Sequence, residues 1–393
     1  MGVTAAPEKP RVAYVMTPIT FGGSEKVSLN FLKNVNSDVV AIDPILFLRP
    51  WESETVFEGE LRRQGIRFTP VPVAKFERFD LFRIVRCFWH LKKTLQRHSY
   101  DLIHTHGYLA DILGFLASRS LKIPIISTCH GFINENSKLA FYNHLDRMVL
   151  RRFTKIISVS KSIREELIHK GVGGDLITVV ENCPETNHPE RDRLTSRNSI
   201  RTENNFGPQE LVLGYVGRLS SEKGIAYLIE AIALPECRAL PVKLLIIGEG
   251  PQKAALETLA KSLDVADRVV FTGFQNNIDE WLTALDILVL PSLTEGSPMV
   301  LLEAMSRGLP CIASAVGGIP GIIKSGVDGI LVAPGEPGEI CAAVCSLSAD
   351  ADKRSSLSGN AKQKIALEYN ITDWSAKIAG EYSDILQTAG GHR

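Results

Sequence analysis

Short apolar runs alternate along this chain with longer stretches in which apolar residues recur at helical spacing. In the first half the runs predict strands at 11–16, 41–48, 102–104, 124–128, 155–159 and 177–180, and the first strand is followed by a helix at 25–35. In the second half they predict strands at 211–216, 243–247, 268–271, 287–290, 310–313 and 330–332. Strands that alternate with helices indicate α/β folding, with parallel sheets covered on both faces.

A polar stretch separates the two series, because residues 187–207 show no apolar periodicity. The chain has 393 residues, which suffices for two domains. We therefore predict two doubly wound, Rossmann-like domains at 1–190 and 208–368, joined by a connecting segment at 191–207. A last segment, 369–393, is predicted to be a helix that crosses back to the first domain.

The composition excludes a disordered or fibrous protein, since 45% of the residues are hydrophobic and 22% are charged. No apolar run approaches the roughly 18 residues that a membrane-spanning helix needs. The N-terminal residues lack the pattern of a secretory signal, so we expect a cytoplasmic protein.

Residues 1–200 carry 28 Lys and Arg against 21 Asp and Glu (net +7), and residues 201–393 carry 16 against 23 (net −7). This asymmetry favours an anionic partner for the first domain, although a solvated surface explains it equally well.

The seven cysteines form an odd set without a Cys-x-x-Cys pair. We therefore expect reduced, buried thiols and neither a disulfide framework nor a structural zinc site.

Ligands of open parallel sheets bind beyond the carboxyl ends of the strands, and four turns there carry unusual residues. The first turn contains Gly22-Gly23-Ser24-Glu25, where glycine permits close approach of a ligand and a helix N-terminus favours an anion. A Gly-Gly turn that only reverses the chain is the alternative, and the dinucleotide fingerprint G-x-G-x-x-G is absent.

The second turn is Gly217-Arg218-Leu219-Ser220-Ser221-Glu222-Lys223-Gly224. The Arg218 guanidinium can bind phosphate oxygens in a fork and Lys223 adds a point charge, which together suit a diphosphate. The sequence is not a Walker loop, so ATP hydrolysis of that type is disfavoured. A structural loop with solvated cations is the alternative.

The third turn leads from Glu295 to Glu303. Ser297 is predicted to cap a helix whose first position is Pro298, so that free backbone amides form a second phosphate site. Glu295 would precede this helix, and Glu303 would lie about two turns inside it. Both carboxylates can accept hydrogen bonds from sugar hydroxyls; two ordinary surface glutamates are the alternative.

The fourth group consists of His104, His106 and His130, which lie at or near strand ends followed by glycine. An imidazole there can hydrogen-bond a sugar hydroxyl or a reacting group, or it can be a structural hydrogen-bonding residue. No H-E-x-x-H sequence or close carboxylate cluster accompanies these histidines, so metal binding is disfavoured.

Taken together and in order, these turns resemble the family-4 retaining glycosyltransferases, which have the GT-B architecture of two facing Rossmann-like domains. The most specific parts are G-R-L-x-x-x-K-G at Gly217 to Gly224 and E-x7-E at Glu295 to Glu303, and the resemblance spans nearly the whole chain. The chain departs from the family at Gly321, where a glutamate is frequent after G-G-x-P, and at 181–185, where P-N-G-x-D is frequent.

The resemblance implies transfer of a sugar, with retention and without a metal or other cofactor, from a nucleoside-diphosphate sugar to a saccharide or lipid-linked acceptor. It implies a role in polysaccharide or glycoconjugate synthesis, and no nucleic-acid partner. The implied catalytic residues are Arg218 and Lys223 on the diphosphate, Glu295 on the donor sugar, and His130 near the reacting face of that sugar. The implied donor-binding residues are Gly23, Gly217, Gly273, Phe274, Ser297, Met299, Val300 and Glu303, with Glu303 on the ribose hydroxyls.

Two other functions share this fold: a sugar-nucleotide epimerase or hydrolase, and a non-enzymatic nucleotide-sugar-binding module.

A further candidate feature is the stretch from Leu81 to His98, which carries five Arg and Lys residues, three aromatic residues and no acid. This composition is typical of a helix that binds an anionic membrane surface peripherally. The alternative is a helix that covers the sheet with residues at helical spacing, namely Leu81, Ile84, Val85, Phe88, Leu91 and Leu95.

Overall fold

The computed structural model describes residues 9–18, 21–73, 80–132, 137–186 and 193–390. The chain divides into two compact units. Unit 1 comprises Met1–Asn182 and Ile371–Arg393, and unit 2 comprises Cys183–Asn370. Each unit is built on one parallel sheet with helices between its strands.

Unit 1 contains seven strands in its described residues, and its C-terminal helix comes from the end of the chain. Its elements are β1 (Arg11–Met16), α1 (Gly23–Asn34), β2 (Ala41–Leu48), α2 (Val56–Arg63), β3 (Thr69–Pro72), α3 (Asp80–Arg97), β4 (Leu102–His106), α4 (Tyr108–Leu121), β5 (Ile125–Cys129), α5 (Ser137–Leu150), β6 (Lys155–Ser158), α6 (Lys161–His169), β7 (Ile177–Val179) and, from the end of the chain, α16 (Ile371–Gly390).

Unit 2 contains six strands in its described residues. Its elements are α7 (Arg193–Glu203), β8 (Leu211–Val216), α8 (Ile225–Ala233), α9 (Pro235–Arg238), β9 (Val242–Ile247), α10 (Lys253–Ser262), β10 (Val269–Gly273), α11 (Ile278–Ala284), β11 (Ile287–Leu290), α12 (Met299–Ser306), β12 (Cys311–Ser314), α13 (Ile319–Ile322), β13 (Ile330–Val332), α14 (Pro337–Ala349) and α15 (Ala351–Glu368).

The predicted strands are confirmed, and β1, β2, β8, β11 and β13 have the predicted bounds. These runs are apolar at nearly every position because helices cover both faces of each sheet. The prediction missed β3, whose sequence Thr69-Pro70-Val71-Pro72 contains two prolines. This strand lies at the edge of its sheet and pairs only with β2, which is the position where proline is tolerated.

The connecting segment predicted at 191–207 contains the helix α7, which the sequence analysis did not expect. Ionic contacts beside the buried Ile200 attach this helix to the rest of unit 2, so the segment shows no clear hydrophobic period. Arg197 Nη2 lies 2.5 Å from Asp286 Oδ1, and Arg201 Nη1 lies 3.0 Å from Asp286 Oδ2. Arg197 also donates to the carbonyl oxygens of Thr283 and Leu285 at the end of α11.

Helix α3 has the core-facing side that helical spacing predicted, with one exception. Leu91 and Leu95 are buried, and Ile84 and Phe88 pack against the core of unit 1. Val85 was expected in that stripe but is 44% exposed, because it lies on the opposite side of the helix. The side chain of Leu81, also assigned to the stripe, lies outside the described residues.

The sheets share one pattern of strand order. Unit 1 has the order β3-β2-β1-β4-β5-β6-β7, and unit 2 has β10-β9-β8-β11-β12-β13. In each sheet the order reverses between the first and the fourth strand, so β1/β4 and β8/β11 are the topological switch points at which such folds bind ligands. None of the helices in the described parts of the chain has both the length and the apolar character needed to cross a membrane.

Candidate functional site

The switch point of unit 2 brings together a lysine and a glutamate that the sequence analysis singled out. Lys223 ends the short 3-10 turn Ser221–Lys223 after β8, and Glu295 lies in the loop after β11. Lys223 Nζ lies 2.7 Å from Glu295 Oε1, and Ser292 Oγ donates to the same oxygen at 2.8 Å. The Lys223 and Glu295 side chains are 23% and 9% exposed, so this ion pair is largely screened from water.

Backbone contacts hold the two loops against each other. Gly224 has φ +62°, and a Cβ at this position would come within 2.1 Å of the Pro291 carbonyl oxygen. The Leu293 N–H donates to the Glu222 carbonyl oxygen at 2.8 Å. The positions of Lys223 and Glu295 are therefore set by glycine-dependent backbone packing and not only by their ion pair.

A second glycine supports Glu295 from the loop after β12. Gly317 has φ +54°, and a Cβ there would lie 1.7 Å from the Glu295 carbonyl oxygen. The sequence analysis noted this stretch only for the missing carboxylate at Gly321. The G-G-x-P pattern was the available signal, but the partner of Gly317 is visible only in the folded unit.

Arg218 lies in the same loop as Lys223, and its side chain is exposed. The hydroxyl of the buried Tyr215 donates to the Arg218 carbonyl oxygen at 2.9 Å. Burial, and then the charges of Glu295 and Glu222, raise the pKa of Tyr215 well above its usual value. A neutral phenol therefore supports the loop that carries both cations.

Helix α12 begins later than predicted. Ser297 was expected to cap a helix starting at Pro298, but Pro298 is itself the capping residue and the helix begins at Met299, because the extended backbone of Pro298 (ψ 114°) is not helical. Glu303 consequently lies just over one turn inside the helix instead of two. Its side chain is 4% exposed, while Val300 and Ser297 are partly exposed.

Other predicted donor-binding residues follow neighbouring strands at the same edge of this sheet. Gly217 follows β8 and donates its N–H to the Ile247 carbonyl oxygen at 3.0 Å. Gly273 is the last residue of β10, and the next residue, Phe274, is 46% exposed. The carboxyl edge of unit 2 thus combines an exposed aromatic ring, two cations and the start of α12.

At the switch point of unit 1, Gly23 is the first residue of α1. The carboxylate of Glu25 accepts hydrogen bonds from the Gly22 N–H at 3.1 Å and from Ser24 Oγ at 2.8 Å, which closes the first turn of the helix. A Cβ on Gly23 would meet no atom within 4 Å, so the space beside this residue is open.

Three histidines of unit 1, His104, His106 and His130, lie next to one another. Strand β4 extends to His106, so His104 and His106 lie within the strand and not in the turn after it. His104 Nδ1 lies 2.6 Å from Tyr382 Oη, and His104 Nε2 lies 2.8 Å from Thr128 Oγ1. His106 Nδ1 lies 3.3 Å from Nε2 of His130, which follows β5 and is partly exposed.

These imidazoles are neutral at neutral pH because burial disfavours their charged forms. Burial lowers the pKa of His130 to about 4, and burial together with the neighbouring His130 lowers that of His104 to about 3. The pKa of His106 lies well below its usual value, through burial and its two histidine neighbours. His104 is saturated by protein partners and is structural, whereas His130 remains partly accessible. Sequence reasoning missed Tyr382, which comes from α16.

The comparisons with known proteins identify the family. Residues 21–188 match the family described as Glycosyltransferase Family 4, and residues 196–364 match Glycosyl transferases group 1. The 2-deoxystreptamine glucosyltransferase of Streptomyces kanamyceticus is 31% identical over 274 residues, which cover 64% of this chain and 69% of that protein. The chain belongs to the family-4 glycosyltransferases. The predicted family is confirmed.

This glycosyltransferase is also similar to the N-acetyl-alpha-D-glucosaminyl L-malate synthase of Bacillus anthracis, with 28% identity over 301 residues, or 75% of this chain and 76% of that protein. Among solved structures, Anabaena HepE in complex with UDP and glucose aligns with a TM-score of 0.80 at 21% identity, over 95% of this chain and all of that chain (100%). Together with the two parallel sheets, this likeness confirms the predicted GT-B fold.

Proposed function

We propose that this glycosyltransferase moves a sugar from a nucleoside-diphosphate sugar to a hydroxyl group of a saccharide or lipid-linked acceptor, with retention and without a required metal. Unit 2 binds the donor, and unit 1 supplies the acceptor side. The observation that carries the proposal is the Lys223–Glu295 pair at the switch point of unit 2. HepE, which shares the fold, binds UDP and glucose, and this supports the choice of donor class.

The leaving diphosphate is the main electrostatic problem in this reaction. When the bond from the anomeric carbon to the phosphate oxygen breaks, negative charge grows on the phosphate and positive charge grows on the sugar. Lys223 and Arg218 stabilise the phosphate charge, because fixed cations in a partly desolvated site gain strength as charge develops. Lys223 Nζ and Ser292 Oγ both contact Oε1 of Glu295, and we assign its second carboxylate oxygen to the sugar hydroxyls.

The remaining donor contacts come from α12 and the neighbouring strand ends. The free N–H groups of Met299 and Val300 in the first turn of α12 bind phosphate oxygens, since a helix N-terminus attracts anions. Ser297 lies beside them, and the Glu303 carboxylate accepts hydrogen bonds from the ribose hydroxyls. Gly217, Gly273 and Phe274 border the base.

On the acceptor side we assign His130 to the reacting face of the sugar and Gly23 to the distal phosphate. A pKa of about 4 makes the His130 imidazole a neutral hydrogen-bonding group at pH 7. It therefore orients a hydroxyl rather than supplying a cation, while the acceptor hydroxyl attacks from the face that the diphosphate leaves and passes its proton to the departing phosphate oxygen.

Metal-independent transfer requires that Arg218 and Lys223 neutralise the diphosphate by themselves. The chain has one Asp-x-Asp sequence, Asp350-Ala351-Asp352. Asp350 Oδ1 accepts the Lys353 N–H at 2.8 Å and caps α15, so the first aspartate of this sequence already has a structural role. Its position at a helix start supports assigning the phosphate charge to the two cations.

The test is release of nucleoside diphosphate from a panel of nucleotide sugars, with and without acceptors and with a chelator present. We expect release that depends on an acceptor, persists in the chelator and yields a product with the donor's anomeric configuration by NMR. Release without an acceptor would indicate an epimerase or hydrolase, and binding without release a non-enzymatic module. Inversion at the anomeric carbon, or loss of activity with the chelator, would refute the corresponding part of the proposal.

We further propose that the outer face of α3 contacts an anionic membrane surface. Phe82, Val85 and Trp89 recur at helical spacing and are 77%, 44% and 59% exposed. The Lys92 ammonium lies 5.3 Å from the centre of the Trp89 ring, which places a cation beside the apolar stripe. An exposed aromatic stripe flanked by cations is the pattern of an interfacial helix.

Sedimentation with anionic or neutral vesicles tests this contact. We expect binding to anionic vesicles that weakens with salt and is lost in the double variant Phe82→Ser/Trp89→Ser. Leu367→Ser, which changes a 77% exposed residue of unit 2, is the matched control and should bind like the wild type. Equal binding to neutral vesicles, or no effect of the double variant, would contradict the proposal.

A further inference from the structure

Three cysteines lie close together in unit 2, and none of them is assigned above to the donor. Cys237 lies in α9, and Cys341 and Cys345 lie one turn apart on α14. The three Sγ atoms all lie within 4.8 Å of one another. Cys341 Sγ and Cys345 Sγ are 4.0 Å apart, and Cys237 Sγ lies 3.8 Å from the Cys341 carbonyl oxygen.

The spacing of these sulfur atoms is close to that of a metal-thiolate site. A Zn–S bond of about 2.3 Å with tetrahedral angles places two sulfur ligands about 3.8 Å apart. The Cys341–Cys345 separation is already near that value, because residues four apart on a helix share one face. A small inward movement of Cys237 completes a three-sulfur face.

Burial and access differ among the three thiols in a way that suits a cation entering from solvent. Cys237 and Cys341 are buried, whereas Cys345 is partly exposed. Burial raises the pKa of the Cys237 thiol, and burial and the neighbouring Cys341 raise that of Cys345.

We propose that Cys237, Cys341 and Cys345 form a three-thiolate site for Zn²⁺, with the fourth coordination position open to solvent beside Cys345. Soft thiolate ligands select this class of cation. On binding, each S–H group releases its proton to solvent, three S–Zn bonds form, and no electron is transferred. The bound ion joins the four-residue helix α9 to α14, and its expected effect is on the stability of unit 2.

This site differs from the sequence prediction of no structural zinc site. The prediction used the absence of a Cys-x-x-Cys pair, but here the short spacing is Cys341-x-x-x-Cys345 and the third ligand lies 104 residues away from Cys341. Only the packing of α9 against α14 brings them together.

The test uses the reduced full-length protein with Co²⁺ as an optical probe and Zn²⁺ as competitor. We expect one equivalent of Co²⁺ to produce a thiolate-to-cobalt absorption band in the near ultraviolet that Zn²⁺ removes. Cys345→Ala should weaken binding by at least roughly tenfold, since even the loss of groups that only orient ligands costs that much. Cys311→Ala, which removes a solitary buried thiol from the same unit, is the matched control and should bind like the wild type.

Two further readouts keep the proposal testable if a variant is less stable. Zn²⁺ addition should release protons, and the affinity should rise with pH, because thiolates rather than thiols bind the ion. Zn²⁺ should raise the unfolding temperature of the wild type and of Cys311→Ala, but not that of Cys345→Ala. The absence of a thiolate band, or equal metal affinity in Cys345→Ala and the wild type, would overturn the proposal.

Discussion

The two switch points have equivalent positions in their sheets, but the side chains near them differ in charge: neutral in unit 1 and ionised in unit 2. In unit 1, His106 at the end of β4 and His130 after β5 are neutral at pH 7, because burial lowers the pKa of His130 to about 4 and, together with the neighbouring histidines, holds that of His106 well below its usual value. In unit 2 the strand ends present the Lys223–Glu295 ion pair and the exposed Arg218. One topology therefore places a candidate ligand site at each switch point, and we propose that the charged residues of unit 2 hold the diphosphate while His130 of unit 1 contacts a sugar hydroxyl.

The largest expected effect comes from removing a cation of unit 2. Lys223→Ala should lower kcat/KM by roughly 100- to 1000-fold, because a fixed charge beside the leaving diphosphate contributes about 3 kcal/mol of transition-state stabilisation. The measurement is steady-state transfer with the donor identified in the panel. Lys243→Ala is the control, since this lysine is equally buried but pairs with Glu210 at 3.7 Å at the amino end of β9, away from the carboxyl edge of the sheet. Wild-type rates in Lys223→Ala would show that the loop is only structural.

The second prediction concerns a variant that moves the Glu295 backbone but keeps the Glu295 carboxylate. Gly317→Ala places a Cβ against the Glu295 carbonyl oxygen and strains a left-handed backbone, so the loop must move. We expect kcat to fall by about 100-fold, since a displacement of about 1 Å near the reacting atoms costs that much. Gly321→Ala is the matched control, because a Cβ there meets no atom within 4 Å. Similar kinetics of the two variants would contradict the role of Gly317.

The third prediction distinguishes two histidines of unit 1. His130→Ala should lower kcat about tenfold, as expected for one lost hydrogen bond of about 1.4 kcal/mol to a reacting hydroxyl. His104→Gln should leave kcat within about threefold but lower the free energy of unfolding by about 1 to 2 kcal/mol, because Tyr382 and Thr128 lose a buried partner. Kinetics and urea unfolding of both variants provide the test. The comparison fails if the two variants exchange these phenotypes.

The smallest effect is a pH dependence of stability that His104 causes. Its pKa is near 6.5 in the unfolded chain and about 3 in the folded protein, so the unfolded state binds the extra proton between these values. The contribution of neutral His104 to the free energy of unfolding is complete above pH 6.5 and is lost as the pH falls toward 3. The stability advantage of the wild type over His104→Gln should therefore shrink by about 1 kcal/mol when the pH falls from 6.5 to 5.5.

The comparison between wild type and variant is needed because buried carboxyl groups act in the opposite direction. Burial raises the pKa of Asp111 to about 6, so the folded state retains that proton at a pH where the unfolded state releases it. This contribution cancels in the difference between the two proteins. A difference that stays constant from pH 7 to pH 4 would show that His104 is not held neutral.

Much of the candidate site could be predicted because its residues lie in short local motifs. Gly217 to Gly224 directly follows β8, and Glu295 precedes a helix whose proline was visible in the sequence. Three predictions were wrong because they depend on packing. The helix α12 begins after Pro298 and not at it, and the proline-containing strand β3 was missed. The helix α7, which is held by Arg197 and Arg201, was predicted to be a connecting segment. In each case a tertiary contact outweighs the local pattern.

The sequence by itself determined the α/β class, the two series of strands and the loops that carry the candidate site residues, because hydrophobic period and turn residues are local properties. Only the tertiary structure decided which groups meet. Lys223 and Glu295 are 72 residues apart, and His104 and Tyr382 are 278 apart. The physical reason is that strand order depends on long-range pairing and on the burial of whole faces, neither of which a local pattern encodes.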